Sequence, residues 1–257
     1  MQTPYLPLAG LRGLILGVAN EHSIAWGCAR EAHRQGAQLA FSYLNDKAKQ
    51  YVAPLAEQVD ASLFPCDVTV PGALERFVEQ GVASLGGLDF AVHAIAWAPA
   101  DDLHGRVTDS SRDGFNQAMA ISCHTFAELG RLCEPHMVQG GTLVTMTYHG
   151  ANVAIPHYGI MGPVKAALEG MVRYMALELG PKKICVHAVS PGPIMTRAAS
   201  GIAGFDELLS TAQARAPLQR LVTQEEVGAL TAFLVGAGGS GMTGQTLFVD
   251  GGMHAVG

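Results

Sequence analysis

Short apolar runs alternate with longer stretches of helical periodicity along this chain, and no other feature limits its possible folds so tightly. The runs at 13–17 (GLILG), 38–43 (QLAFSY), 62–65, 88–96, 142–147, 184–190 and 246–250 read as strands. The segments 23–35, 47–59, 71–84, 113–137, 158–180 and 223–236 read as helices, the fourth stopped by Gly140 and Gly141. Strands that alternate with helices must bury both faces of a sheet. The pattern therefore predicts an α/β fold with a doubly wound parallel sheet of about seven strands and helices on both faces.

With 49% apolar and 15% charged residues, the chain has enough material for a two-sided core. No break in composition and no repeat divides it, so a single domain is expected over 1–257. The net charge of −6, with no basic stripe, argues against nucleic acid as a partner. Cys28, Cys66, Cys123, Cys133 and Cys185 are scattered and form no CxxC pair. That excludes a zinc ribbon or a disulfide frame, predicts no metal, and suits a cytoplasmic protein with reduced thiols. The first residues lack the charged and apolar regions of a signal peptide, and no apolar run approaches the ~18 residues of a membrane span.

The first strand leads into Gly17-Val-Ala-Asn-Glu-His-Ser-Ile-Ala-Trp-Gly27. A dinucleotide pyrophosphate needs a tight turn followed by a helix N-terminus with free N–H groups. Gly17 can supply the turn, Ser23 can cap the helix and donate to phosphate, and Gly27 can let the helix pack closely on the sheet. The G-x-G-x-x-G spacing is absent, so this loop alone carries little weight. Three later segments fall where a dinucleotide would lie. Cys66-Asp67-Val68 follows the third strand, with Asp67 available to an adenine amino group or as a helix cap. His93-Ala94-Ile95-Ala96 closes the fourth. Ser190-Pro-Gly-Pro-Ile-Met-Thr196 follows the sixth and brings the Thr196 hydroxyl to the sheet edge. Together they predict a Rossmann-type dinucleotide site at the carboxyl ends of the strands.

Longer stretches make the pattern specific: Ser23-Ile24-Ala25, LAFSYLND at 39–46, YHGANVAIPHYGIMGPVK at 148–165, Arg173-Tyr174-Met175-Ala176, Gly192-Pro193-Ile194, Ala198 to Ile202 and Val249-Asp250-Gly251-Gly252. On these residues the chain resembles the short-chain dehydrogenase/reductases and, among them, the bacterial NADH-dependent enoyl-acyl-carrier-protein reductases. The superfamily usually carries Tyr four residues before its Lys, where this chain has Met161; Tyr158 stands seven before Lys165, and Tyr148 ten before Tyr158. Seven residues are about two helical turns, so Tyr158 and Lys165 are expected on one face of one helix.

The resemblance implies reduction of the carbon–carbon double bond of an enoyl thioester, as in fatty acid synthesis. Tyr158 would stabilise the enolate oxygen, Lys165 would hold the nicotinamide ribose, and Tyr148 would line the acyl pocket. Cofactor contacts are implied at Gly17, Ser23, Ile24, Leu44, Asp67, Val68, Ala94, Ile95, Ala96, Lys165, Gly192, Ile194 and Thr196. Substrate contacts are implied at Ala96, Trp97, Tyr148, Tyr158, Met161, Ala198, Ala199, Ile202 and Phe205, with a loop and helix at about 195–216 as a lid. His149 and His157 read as packing or surface residues. Leu44 and Asn45 stand where an Arg or Lys would meet a 2′-phosphate, which predicts NAD, with NADH preferred over NADPH.

Two departures bear on the substrate. Ala96 stands where the family usually has Gly. Asp206 and Glu207 stand where the family carries basic residues that meet its acidic carrier protein. Like charges slow association, so weak or absent dependence on acyl-carrier protein is expected unless Arg197, Arg215 or Arg220 forms a substitute patch. A coenzyme A thioester or a small enone then becomes a candidate substrate, and a carbonyl or small-enone reductase of a specialised pathway is the alternative enzyme. A nucleotide-binding regulator without activity is the non-enzymic alternative, disfavoured by Tyr158, Lys165 and Thr196. No acid completes a Ser-His-Asp set. Apolar residues on more than one face of 113–137 and 158–180 predict dimers that pair into a homotetramer.

Overall fold

The computed structural model describes residues 6–196 and 205–256. Seven strands form one parallel sheet: β1 (Arg12–Leu16), β2 (Gln38–Tyr43), β3 (Ser62–Pro65), β4 (Phe90–His93), β5 (Gly141–Met146), β6 (Ile184–Pro191) and β7 (Gln245–Val249), in spatial order β3-β2-β1-β4-β5-β6-β7. β1 pairs with β2 on one side and β4 on the other, so the chain reverses its direction of winding between β1 and β4. Ligands bind beyond the carboxyl ends of strands at such a point.

Side chains alternate across β1 and divide the core in two. Leu14 and Leu16 face a cluster built with α3 (Ala73–Leu85), α6 (Thr125–Cys133) and α7 (Met161–Leu179), including Phe77, Phe126 and Leu168. Ile15 faces the other cluster, built with α1 (Ile24–Arg34), α2 (Asp46–Gln58) and α9 (Gln224–Val235), including Trp26 and Val227. The doubly wound α/β architecture expected from the alternation is thus present. The five cysteines are free, and all but Cys185 are buried. Among the described residues, no helix is long and apolar enough to cross a membrane.

Four local expectations need correction. The fourth strand is shorter than 88–96, because after His93 only the Ala94 amide still bonds to the Leu16 carbonyl, at 3.0 Å, before the chain leaves the sheet. The helix expected at 113–137 is not uniform. It runs as α5 (Arg112–Met119), a π-turn (Ala120–His124) and then α6, preceded by a short α4 (Ala100–His104) that has no clear periodic signal. Gly27 meets α9 rather than the sheet: a Cβ there would stand 2.4 Å from the Gln224 carbonyl oxygen. Finally, α7 begins at Met161, so Tyr158 lies ahead of the helix and does not share a helix face with Lys165. His157 (φ 63°) and Gly159 (φ 52°) take left-handed conformations, which a right-handed helix cannot continue through.

Candidate active site

Of the segments singled out in the sequence, those after β1, β3, β4, β5 and β6 gather at the carboxyl edge of the sheet. Gly17 ends β1 at φ 101°, and a Cβ there would meet the Ala94 carbonyl oxygen at 2.3 Å. Only glycine allows this approach between the ends of β1 and β4. Ser23 occupies the N-cap of α1, with Ile24 as the first helical residue, but its hydroxyl does not cap the helix. Ser23 Oγ donates instead to the Asn20 carbonyl at 2.7 Å. The first-turn amides of α1 therefore have no side-chain acceptor from the cap, which suits a helix start that receives a phosphate. Leu44 follows β2 and is exposed. Asn45 caps α2 by accepting from the Ala48 amide at 3.0 Å, and Lys47 and Lys49 lie on α2. Asp67, followed by Val68, accepts from the Thr69 amide and hydroxyl at 2.9 and 2.7 Å; it closes a turn and is not the cap of α3, which is Gly72.

Ala94, Ile95 and Ala96 follow β4, and Trp97 comes next, 45% exposed. Ser122, from the π-turn, holds Trp97 at both backbone groups: its Oγ accepts from the Trp97 amide at 2.8 Å and donates to the Trp97 carbonyl at 2.9 Å. The Gly192 amide bonds to the Val249 carbonyl at 2.8 Å, and the Thr196 amide to the Ile194 carbonyl at 2.8 Å, which fixes the start of the segment after β6. Ala198, Ala199 and Ile202 lie outside the described residues, as does the side chain of Phe205; α8 runs from Phe205 to Arg215.

Lys165 lies on the buried face of α7 with Met161, Val164 and Leu168, and is only 5% exposed. Its Nζ donates to the Met146 carbonyl at 2.8 Å. Burial pushes its pKa down to about 8, opposed by Cys123 and Glu169. Tyr158 is 9% exposed and packs edge to face against Tyr148, with ring centroids 4.9 Å apart. Burial first, then the neighbouring Tyr148 and Glu169, raise the Tyr158 pKa, and burial pushes Tyr148 up to about 12. Both phenols are thus proton holders at neutral pH. The structure brings Tyr148 and Tyr158 into contact and sets Tyr158 and Lys165 in the field of one carboxylate, although they do not share a helix. Met161 is buried in the same cluster.

A cavity of about 150 Å³ adjoins this pair, lined by Tyr148, Ile155, Pro156, His157, Glu207, Leu208, Thr211, Arg215 and Met253. The exposed acid Glu207 and the base Arg215 line it from α8, and the apolar Ile155 and Pro156 line it from the segment after β5. His149 packs against Phe248 with centroids 6.0 Å apart, in keeping with a packing role.

A family model described as Enoyl-(Acyl carrier protein) reductase matches residues 17–254. The chain belongs to the enoyl-(acyl carrier protein) reductase family. Among curated members, one from Rhizobium meliloti named enoyl-[acyl-carrier-protein] reductase [NADH] 2 is 43% identical over 95% of this chain and 92% of its own. A crystal structure of the Anaplasma phagocytophilum reductase in complex with NAD superposes with a TM-score of 0.94 at 41% identity, covering 100% of this chain and 98% of that one. The Bacillus cereus family member, solved with NADP+ and an indole naphthyridinone, gives 0.95 at 39% identity over 98% and 99% of the two chains.

Several residues of the site escaped the sequence reading. Glu169, Thr147 and Asn152 form a buried polar cluster beside Lys165. A signal for Glu169 was available: an acid one turn past Lys165 on an otherwise apolar helix face is rarely buried without partners. His93 is the other. It is fully buried on β4, with Nε2 2.8 Å from Thr125 Oγ1 and Nδ1 3.1 Å from Thr145 Oγ1. Thr125 already donates to the Ile121 carbonyl at 2.6 Å, so its oxygen accepts from His93 Nε2–H. Nδ1 is left as an acceptor, and the single Thr145 hydroxyl proton lies between Nδ1 and the His93 carbonyl, to which Thr145 Oγ1 donates at 3.2 Å. Burial pushes the His93 pKa down to about 3.

Proposed function

We propose that this chain reduces the carbon–carbon double bond of an enoyl thioester with NADH, the chemistry for which its relatives are named. One observation carries the reading: Tyr148 and Tyr158 pack together just past β5, and the buried Lys165 bonds to the Met146 carbonyl at the end of that same strand, at the edge where a dinucleotide would lie. The site fits the cofactor at three points. The β1 end approaches too closely for any residue but Gly17, the α1 start lacks a side-chain cap, and Lys165 is a buried ammonium. Gly17, Ser23, Ile24, Leu44, Asp67, Val68, Ala94, Ile95, Ala96, Lys165, Gly192, Ile194 and Thr196 would hold it. When bound, NADH supplies the hydride that adds to the β-carbon.

The π electrons of the double bond then move toward the thioester oxygen as an enolate. Tyr158 holds its phenolic proton toward that oxygen and stabilises the charge, and Lys165 adds positive potential. The enolate collapses as a proton reaches the α-carbon, which completes the saturated thioester. Tyr148 braces the Tyr158 ring and lines the acyl pocket. Ala96, Trp97, Met161, Ala198, Ala199, Ile202 and Phe205 would complete the substrate contacts, within one reductase domain lidded by 195–216.

NADH is favoured over NADPH because Leu44 and Asn45 offer no cation after β2, and Lys49 turns over the Tyr43 ring at 5.5 Å. For the carrier, the exposed Glu207 argues for weak attraction to an acidic acyl-carrier protein, with Arg215 on the same helix as the compensating base. α7 also leaves Tyr174 and Leu177 exposed, at 72% and 75%, an apolar outer face suited to burial in a homotetramer.

Purified protein given crotonyl thioester and NADH should consume NADH; consumption with acetoacetyl thioester and not crotonyl thioester would overturn the reading in favour of a carbonyl reductase. Crotonyl groups on coenzyme A and on carrier protein, compared across salt concentrations, settle the carrier. Tight, salt-sensitive saturation by the carrier form would refute the weak-dependence reading.

A further inference from the structure

Burying a carboxylate costs several kcal/mol unless hydrogen-bond donors replace its water. Glu169 is 6% exposed, on the apolar face of α7 one turn past Lys165. Two donors satisfy it: Thr147 Oγ1 donates to Oε1 at 2.8 Å, and Asn152 Nδ2 to Oε2 at 3.3 Å. These donors bracket the short turn that carries Tyr148, whose ring packs on Tyr158. The neighbouring charge is tied to the same stretch of chain, because Lys165 Nζ donates to the carbonyl of Met146, the residue before Thr147. The end of β5 is thus held by two charged residues of α7, by Lys165 at Met146 and by Glu169 at Thr147.

We propose that Glu169 is a positioning residue: its buried carboxylate ties the turn bearing Tyr148 to the helix bearing Lys165 and sets negative charge beside that ammonium. The proposal rests on the reading of Lys165 as a cofactor-holding residue. Three groups interact electrostatically with Lys165: the Cys123 thiol from the π-turn, the His93 ring from β4 and Glu169 on its own helix. Burial raises the Cys123 pKa and lowers that of His93, so both are neutral near pH 7 and Glu169 is the carboxylate among them. Removing it should leave burial of Lys165 less opposed, so that the ammonium is lost at lower pH.

Two kinds of variant separate the clamp from the charge. Glu169→Gln keeps an acceptor for Thr147 and removes the charge. Thr147→Val keeps the charge and shape and cuts one arm of the clamp. NADH affinity, read by fluorescence titration across pH, should hold in the wild type up to about pH 8. In Glu169→Gln the midpoint should fall by about one pH unit, a loss of roughly fivefold in affinity at pH 8 with little change near pH 6. Thr147→Val should keep the wild-type midpoint and lose about tenfold in kcat on the enoyl thioester. Coincident NADH profiles for Glu169→Gln and wild type, or unchanged kcat in Thr147→Val, would overturn the proposal. Should Glu169→Gln not fold, Glu169→Asp decides: charge kept at shorter reach predicts the wild-type midpoint with lowered kcat, and a displaced midpoint would overturn it. Wild-type protein that binds NADH but reduces no enoyl thioester would sink the functional reading while leaving the NADH titration of Glu169→Gln as the test of this one.

Discussion

Gly27 and Gly228 bring α1 and α9 together backbone to backbone: a Cβ on Gly228 would lie 2.4 Å from the Gly27 carbonyl oxygen, and one on Gly27 2.4 Å from that of Gln224. The helix whose start faces the cofactor edge is thus seated by a neighbour late in the chain.

Alanine at Gly228 should therefore destabilise the protein by about 1–3 kcal/mol, although alanine favours a helix interior by up to about 1 kcal/mol. Displacement of α1 should also weaken NADH binding. Urea unfolding and NADH titration check both. A Gly228→Ala variant as stable as the wild type would show that the two helices separate at no cost.

Removing the Tyr158 hydroxyl should slow the chemical step more than it weakens binding. We expect Tyr158→Phe to lower kcat by about 10²-fold or more with little change in the KM for NADH. Tyr148→Phe keeps the ring that braces Tyr158 and should cost much less. Steady-state kinetics on crotonyl thioester distinguish the two. Equal losses would assign the proton-holding role to both phenols.

Lys165 should report its own charge. Its pKa is depressed to about 8, so the ammonium is present below that pH and lost above it. The wild-type KM for NADH should rise above about pH 8, and Lys165→Met should show a high KM at all pH values. A KM that stays flat to pH 9.5 or so in the wild type would contradict the low pKa.

His93 should make the fold sensitive to acid. Its pKa of about 3 in the folded protein lies below the ordinary value of 6.5 expected after unfolding. Between those values the unfolded chain binds the extra proton, so stability falls as pH drops through this window, by about 1.4 kcal/mol per unit from this group. Replacing His93 with Gln, which keeps hydrogen-bonding capacity without titrating, should give a shallower loss between pH 6.5 and about pH 4.5 in urea unfolding. Parallel curves for the two proteins would count against the assignment.

The number of strands and the cover of helices on both faces were legible because they depend on periodicity, and apolar alternation records burial directly. Residues placed by backbone proximity to a strand end, such as Gly17 and Ala94, were also readable, since their position follows once the strand is known. Legibility failed where the chain leaves regular structure. The left-handed residues at His157 and Gly159 displaced Tyr158 from the helix assigned to it, and nothing in a helical pattern announces a non-glycine residue at positive φ. Contacts distant in sequence were hidden too. Gly27 signalled a close approach but pointed to the sheet instead of α9, and the partners of Glu169, Thr147 and Asn152, lie 22 and 17 residues before it.

The π-turn at Ala120–His124 makes chain length a determinant of direction. Its wider coil lets Ser122 point to the Trp97 backbone and Thr125 to the His93 ring. Shortening the segment by one residue would turn everything after it by about 100° around the axis relative to what precedes. The serine and the threonine could then no longer serve their separate clients. A one-residue deletion here should therefore be more damaging than most single substitutions nearby.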